Sequence, residues 1–165
     1  MHEPPRDVNQ IDWESWVPTE RATLCFIIRD GQVLLIHKKR GLGSGYMNGP
    51  GGRIEPGETA LAAAIRETQE EIGVTPNGLE EIGQLFFQFL DGFRIHVTVF
   101  AASGCEGQLC ETDEAKPQWT ALDDIPYDRM WQDDPHWLPL LLSRNKFRGF
   151  FLFDDRRLLS YRVDR

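Results

Sequence analysis

The apolar and polar positions between residues 52 and 74 follow the period of an amphipathic helix that is preceded by a tight turn. Pro56 and Gly57 occupy the second and third positions of a four-residue turn, which is typical of a type II turn. Helix-forming residues then run from a capping Thr59 to Gly73, a common helix terminator. The pattern predicts a helix over 60–72. Its apolar stripe, which we expect to be buried, consists of Leu61, Ile65, Thr68 and Ile72.

Apolar segments elsewhere in the chain predict strands, and two pairs of strands are separated by Asp-Gly, a two-residue hairpin turn. A second helix is predicted through 138–142, with Pro135 in its first turn. These elements predict an α/β fold in which helices cover both faces of a mixed sheet. The predicted strands are residues 23–29, 32–37, 79–90, 93–102, 119–122, 147–153 and 158–163.

The length of the chain suits one compact domain, because 41% of its 165 residues are hydrophobic. Residues 1–20 are polar and contain three prolines, so we expect an N-terminal extension followed by a single domain over residues 21–165. Trp13 and Trp16 either dock this extension onto the domain or onto a second subunit, or belong to a loosely ordered tail.

Charge, hydropathy and cysteine content restrict the binding partners and the cellular location. The net charge of −8 repels polyanions, so we expect no binding to duplex nucleic acid, whereas a small phosphorylated ligand is compatible with it. No apolar run approaches the roughly 18 residues that span a bilayer, so we expect no membrane insertion. The three cysteines lack metal-ligand spacing and the N-terminus lacks a signal pattern, which favours a reducing, cytoplasmic location.

The polar side of the predicted helix carries Glu67, Glu70 and Glu71. Like charges at these spacings destabilise a helix by roughly 0.2–0.5 kcal/mol per pair. Glu70 and Glu71 also lie in the last turn, where the helix dipole favours cations. Two interpretations are open: a solvated acidic face, or a site at which one divalent cation relieves the repulsion.

Three further segments allow both a structural and a functional interpretation. The glycine-rich loop 41–45, after three basic residues, is either a solvated loop or a contact for nucleotide phosphates or base. Phe87 and Phe89 share one strand face, which forms either core or a base pocket. Asp133 and Asp134 are either an ordinary acid pair at a helix N-terminus or, in an enclosed pocket, a pair that shares one proton.

The stretch GRIEPGETALAAAIRETQEEIGV, residues 52–74, resembles the signature of the Nudix hydrolases in its defined positions and their spacing. Only Thr68 departs, because an aliphatic residue is more usual there. The resemblance implies a Nudix α/β/α sandwich with a mixed, partly antiparallel sheet between helices. It also implies hydrolysis of a diphosphate linkage with Mg²⁺ as cofactor, for which Mn²⁺ can substitute.

The same resemblance implies roles for individual residues. Arg66 would orient Glu67 by ion pairing, and Glu114 would bring a further carboxylate from a loop, as ligand or general base. An exposed loop acid is the structural alternative for Glu114. The implied catalytic residues are Arg66, Glu67, Glu70, Glu71 and Glu114, and the implied metal ligands are Gly51, Glu67, Glu70, Glu71 and Glu114.

Beyond the signature, residues 23–163 resemble the MutT-homologue branch of the family, which cleaves oxidised purine nucleoside triphosphates. The matching stretches include HKKRGLGSGYMNGPGG, DEAKPQW, IPYDRMWQDDPHWLPLLL and KFRGFF. This implies stacking of a purine on Trp131, and recognition of its edge by Asn48 and by the proton-sharing acid pair. The implied substrate-binding residues are Thr23, Lys38, Leu42, Asn48, Phe87, Phe89, Trp131, Asp133, Asp134 and Trp137.

The chain departs from that branch at Leu42, Met47 and Pro50, where the family has Phe, Trp and Phe, so we expect a looser grip on the base. The expected activity is Mg²⁺-dependent hydrolysis of 8-oxo-dGTP or 2-oxo-dATP to monophosphate and pyrophosphate, by a monomer or homodimer. The alternatives are a Nudix hydrolase of ADP-ribose, dinucleoside polyphosphates or RNA 5′ ends, and a non-catalytic nucleotide sensor.

Overall fold

The computed structural model describes residues 3–165, so Met1 and His2 of the predicted extension lie outside the described residues. The α-helices of the described chain are α1 (Ala60–Ile72) and α2 (Asp134–Leu142). No helix within residues 3–165 is long and apolar enough to cross a membrane. The strands are β1 (Glu20–Arg29), β2 (Gln32–Lys38), β3 (Met47–Asn48), β4 (Gly51–Arg53), β5 (Val74–Asn77), β6 (Glu80–Phe89), β7 (Arg94–Ala102), β8 (Gly104–Gly107), β9 (Ala115–Ala121), β10 (Phe147–Asp154) and β11 (Arg157–Asp164).

The main sheet is mixed. Its strand order is β11-β10-β6-β7-β1-β2-β3, with β4 paired to β1 and β9 paired to β2, while β5 and β8 form a separate ribbon. β1 runs parallel to β7 and β6 parallel to β10, whereas the other neighbours are antiparallel. Asp30 and Gly31 both have positive φ angles, 54° and 74°, as a type I′ hairpin turn requires. The predicted mixed, partly antiparallel sheet is confirmed.

The two faces of the sheet are covered by different helices. Successive side chains of a strand point to opposite faces. On β1, Cys25 and Ile27 therefore belong to the core cluster on the α1 side, and Phe26 belongs to the cluster on the α2 side. The ring of Phe26 lies 5.8 Å from that of Trp137 in α2. This arrangement confirms the predicted α/β/α sandwich.

Helix α1 has the predicted ends, and its predicted buried stripe is confirmed at Thr68 and Ile72 but not at Leu61. Thr59 Oγ1 accepts the N–H of Ala62 at 3.1 Å, and Gly73 ends the helix at a φ of 79°. Leu61 is 46% exposed, so its predicted burial is wrong. The helix is rotated about its axis so that Glu71, placed on the outer side by the sequence pattern, is only 4% exposed. Small side chains on the sheet side, including Ala64, allow this close approach.

The N-terminal extension packs onto the same face of the sheet as α1, over the strands β6 and β10 that α1 leaves uncovered. Val8 is buried, and the ring of Trp13 lies 5.0 Å from that of Phe150 on β10. Trp16 donates its indole N–H to the side chain of Gln88 on β6 at 2.9 Å. Of the three alternatives for this segment, the structure therefore favours docking onto the domain of the same chain.

Candidate active site

Three carboxylates meet at the end of α1. Glu67 and Glu71 are one helical turn apart and therefore share a side of the helix. Glu114 reaches them from the loop that precedes β9, and one oxygen of each carboxylate lies within 4.8 Å of the others. Burial differs within this carboxylate cluster, because Glu71 is buried while the other two are half-buried.

Two glycines of β4 make room for the carboxylate cluster. A Cβ atom on Gly52 would lie 2.4 Å from the carboxyl carbon of Glu67, and one on Gly51 would lie 2.0 Å from the carbonyl oxygen of Thr23. Real Cβ atoms do not approach other atoms so closely, so a side chain at Gly52 would displace the Glu67 carboxylate and one at Gly51 would push β1 away. The N–H of Gly51 also donates to Glu71 Oε1 at 3.3 Å.

Arg66 orients the acidic residues around it. Its guanidinium donates two hydrogen bonds to Glu58, at 2.7 and 2.9 Å, and one to the carbonyl oxygen of Arg53 at 3.0 Å. A further N–H donates to Glu67 Oε1 at 2.9 Å and to Glu70 Oε2 at 3.2 Å. Its bonds to Glu58 lower the pKa of that carboxyl to about 2. Arg66 is thereby fixed between the turn and the helix, which in turn fixes Glu67.

The carboxylate cluster has the donor set of a divalent cation site. Burial, reinforced by the charge of Glu67, raises the pKa of Glu71 to about 8. Burial also raises the pKa of Glu67, against the lowering effect of Arg66. A positive charge between them would favour the ionised forms of Glu67 and Glu71, and carboxylate oxygens are the ligands that hard divalent cations prefer. The residues therefore fit the metal that the signature implies.

The five predicted metal ligands do not all occupy the same place. Glu67, Glu71 and Glu114 form the carboxylate cluster, and Gly51 lies against it through its bond to Glu71. Glu70 is half-exposed and is bonded to Arg66. A helical step of three residues from Glu67 places Glu70 farther towards solvent than the step of four that reaches Glu71.

A cavity of about 120 Å³ opens beside the carboxylate cluster. Its wall includes Gly51 and Gly52, so the cavity and the cluster share β4 as a common border. The structure brings all ten predicted substrate-binding residues to this wall. They are Thr23, Lys38, Leu42, Asn48, Phe87, Phe89, Trp131, Asp133, Asp134 and Trp137.

Aromatic rings hold Trp131 edge-on at the mouth of the cavity. Its ring centroid lies 5.5 Å from Tyr46, 6.3 Å from Phe89 and 5.6 Å from Phe153, with interplanar angles between 82° and 90°. A Cβ atom on Gly43 would lie 2.6 Å from the indole nitrogen, so the glycine-rich loop rests directly on this side chain. The indole is therefore held in one orientation by its neighbours.

A buried pair of acids lies deeper in the cavity. Asp133 and Asp134 are each 2% exposed, and Asp133 accepts the indole N–H of Trp137 at 2.7 Å. Burial raises the pKa of Asp133 to about 6, and burial together with the charge of Asp133 raises the pKa of Asp134 well above its ordinary value. The pair therefore retains a proton under conditions in which exposed aspartates are ionised.

Two buried polar atoms in the cavity wall are left for a ligand. Within residues 3–165, Asp134 Oδ2 and Thr23 Oγ1 have no hydrogen-bond partner. Asn48 uses its side-chain carbonyl to accept the N–H of Gly49 at 2.8 Å, which leaves its NH₂ group as a donor. Buried polar groups are rarely unpaired in the absence of a function.

The sequence pattern missed one residue of the cavity wall and two side chains that pack around Trp131. Phe153 was predicted only as a residue of a closing strand, and Tyr46 and Arg156 were given no role. The guanidinium of Arg156 lies 4.6 Å from the ring centroid of Tyr46 and 5.8 Å from that of Trp131. The adjacent Phe150 and Phe151 of β10 were a signal that this strand has two packed faces, whereas Arg156 lies in a turn and carries no periodic signal.

Comparison with known proteins gives consistent matches. The model of the NUDIX domain matches residues 18–141. The chain is 44% identical over 138 residues to the oxidized purine nucleoside triphosphate hydrolase of Danio rerio, covering 83% of this chain and 88% of the relative. It is 41% identical over 141 residues to the Mus musculus enzyme of that name, covering 84% and 90%. The crystal structure of a MutT protein from Bacillus halodurans superimposes with a TM-score of 0.79 at 32% identity, covering 88% of this chain and 97% of that one.

Proposed function

Because the chain belongs to the NUDIX family, we propose that it hydrolyses oxidised purine nucleoside triphosphates, such as 8-oxo-dGTP and 2-oxo-dATP, to nucleoside monophosphate and pyrophosphate. Such an activity removes damaged precursors from the nucleotide pool. The observation that carries the proposal is the shared border at Gly51 and Gly52, where a carboxylate cluster adjoins a cavity that contains a buried acid pair. The names of the relatives from Danio rerio and Mus musculus support the same substrate class.

Nudix hydrolases generally use divalent cations, and we assign that role here to Mg²⁺, with Mn²⁺ able to replace it. Glu67, Glu71 and Glu114 would hold the ion, together with the carbonyl oxygen of Gly51 and with Glu70. The bond from Arg66 to Glu70 is an exposed ion pair worth about 0.2–1 kcal/mol, so Glu70 can leave it at little cost. When bound, the cation neutralises charge on the phosphoryl oxygens and lowers the pKa of water.

The side chains near the border have complementary tasks. Lys38 lines the cavity and counteracts the negative charge at Glu71, so its ammonium is placed to bind the phosphates as they enter. Arg66 keeps the Glu67 carboxylate directed at the site. The carboxylate cluster also offers oxygens that can accept the proton of the attacking water.

The acid pair and Trp131 account for the choice of base. Stacking a purine on an aromatic ring is worth roughly 1–3 kcal/mol. A protonated aspartic acid donates to a purine carbonyl, while its ionised neighbour accepts from a ring or amino N–H. Because the proton can reside on Asp133 or Asp134, the pair can match the edges of both 8-oxoguanine and 2-oxoadenine. The free NH₂ group of Asn48 adds a donor.

A kinetic panel with Mg²⁺ tests the proposal. The substrates are dGTP, dATP, 8-oxo-dGTP, 2-oxo-dATP, ADP-ribose and a dinucleoside tetraphosphate, with products identified by chromatography. We expect the two oxidised triphosphates to have the highest kcat/KM and to release pyrophosphate. Preference for ADP-ribose or the dinucleoside tetraphosphate would favour the other enzyme class. Binding with equally negligible turnover by wild type and Glu71→Gln would favour a sensor.

A further inference from the structure

One hydroxyl group ties the loop that carries Glu114 to the last turn of α1. Thr112 Oγ1 donates to the carbonyl oxygen of Glu71 at 2.7 Å. The same oxygen accepts the N–H of Glu114 at 3.2 Å and that of Ala115 at 3.3 Å. Thr112 thus contacts the backbone of two of the three residues whose carboxylates form the cluster.

The backbone and Lys39 hold the same loop from the other side. The N–H of Thr112 donates to the carbonyl oxygen of Ala115 at 2.9 Å, which closes a tight turn around Glu114. The ammonium of Lys39 donates to the carbonyl oxygen of Thr112 at 2.8 Å and pairs with Glu111, while its backbone N–H donates to the carbonyl oxygen of Glu114 at 2.9 Å. Lys39 therefore stabilises the loop, whereas the neighbouring Lys38 lines the cavity.

Such a tie is needed because the three carboxylates of the cluster repel one another. Two of its acids are fixed by α1, but the third belongs to a loop and is repelled by their negative charge. The exposed ion pair of Glu114 with Arg40, at 3.4 Å, does not hold the loop against α1. The carbonyl oxygen of Glu71 lies in the last turn of the helix, where carbonyls lack partners within the helix. Thr112 therefore satisfies that oxygen and anchors the loop with a single group.

We propose that Thr112 is a positioning residue that holds the Glu114 carboxylate beside Glu67 and Glu71 before the cation arrives, an inference that rests on the proposed function. Groups that orient metal ligands typically change metal affinity by 10- to 100-fold when they are removed. Without the hydroxyl, cation binding must also bring the loop into place.

The test is Mn²⁺ affinity in the absence of nucleotide, measured from the electron paramagnetic resonance signal of free Mn²⁺. Thr112→Val removes the hydroxyl but keeps the branched shape, and we expect roughly 10- to 100-fold weaker binding. Thr112→Ser keeps the hydroxyl and should restore most of the affinity. Thr75→Val is the matched control, because its hydroxyl also bonds to α1, through Gln69 at 2.9 Å, but away from the cluster.

The outcomes separate this inference from the proposed function. Wild-type affinity in a folded Thr112→Val variant would overturn the positioning role alone. A wild-type protein that binds no Mn²⁺ would overturn the proposed function and the positioning role with it. Should Thr112→Val not fold, Lys39→Met loosens the same loop from its other side. Weaker Mn²⁺ binding by Lys39→Met at an unchanged melting temperature would support the role, and unchanged binding would overturn it.

Discussion

Two groups of acids lie on either side of β4, one beside the cavity and one within it, and their surroundings assign them different chemistry. The carboxylate cluster at Glu67 and Glu71 is open to solvent on one side and is completed by a third acid, so a divalent cation is the natural neutralising partner. The pair Asp133–Asp134 is almost completely buried, and Asp133 accepts the indole N–H of Trp137. The repulsion within this pair is relieved by a shared proton. Burial raises pKa values in both groups, but only the first has the geometry to bind a metal.

The largest expected effect comes from breaking the carboxylate cluster. Glu67→Gln removes a charge that the cation needs, and we expect kcat to fall by at least about 100-fold for oxidised and canonical nucleotides alike. Steady-state kinetics with Mg²⁺ measure the kcat of wild type and variant for each nucleotide. Glu106→Gln, which removes an exposed acid from β8, is the control. A change in the ratio between substrates, with kcat preserved, would instead place Glu67 in base recognition.

Breaking the acid pair should alter base selection and leave the metal site intact. Asp134 has a buried carboxyl oxygen without a hydrogen-bond partner, and Asp134→Asn replaces this carboxyl group by an amide. Mispairing one buried polar group costs about 1–3 kcal/mol, or roughly 5- to 150-fold in kcat/KM for 8-oxo-dGTP. Mn²⁺ affinity should match that of wild type and of Asp128→Asn, an exposed control. Equal losses for dGTP and 8-oxo-dGTP would exclude a role in selection.

The raised pKa of Glu71 predicts how the stability of the metal-free protein depends on pH. The folded-state pKa of about 8 exceeds the ordinary 4.5, so the folded state binds the proton more tightly than the unfolded chain does. This contribution is fully present below about pH 4.5 and is lost as the pH rises through 8. The raised pKa values of Asp133 and Asp134 act in the same direction.

Melting temperatures in EDTA should therefore be lower at about pH 9 than at about pH 5.5. Glu71→Gln should flatten this dependence and stabilise the metal-free protein at high pH, on the order of 1–3 kcal/mol. Calorimetry on both proteins provides the measurement. A melting temperature that rises over this interval, or a variant with the wild-type slope, would contradict the assignment.

The smallest expected effect concerns the side chains that support Trp131 from outside the cavity. Arg156→Ala removes the guanidinium from Tyr46 and Trp131, an exposed interaction worth about 0.5–1 kcal/mol. We expect KM for 8-oxo-dGTP to rise roughly 2- to 5-fold with little change in kcat. Arg157→Ala, also exposed, is the matched control. Equal KM values for both variants would show that the packing of Arg156 against Tyr46 and Trp131 does not contribute to binding of the base.

The two regions also differ in how far the sequence predicts them. Glu67 and Glu71 lie in one 23-residue segment (52–74), where helix geometry alone brings them together. The rotation of α1 that buries Glu71 was missed, because it depends on packing against the sheet. Thr23, Phe87 and Asp133 come from three distant segments. Their meeting depends on the strand order β6-β7-β1 and on the position of α2, which no local pattern encodes, so only the family resemblance could group them.

The most direct test of the central claim is a crystal structure with Mn²⁺ and a non-hydrolysable analogue of 8-oxo-dGTP. We predict an anomalous peak within coordination distance of Glu67, Glu71 and Glu114, triphosphate oxygens against that peak, and the base between Trp131 and the acid pair. An anomalous peak elsewhere, or a base outside the cavity with the three carboxylates facing bulk water, would contradict it.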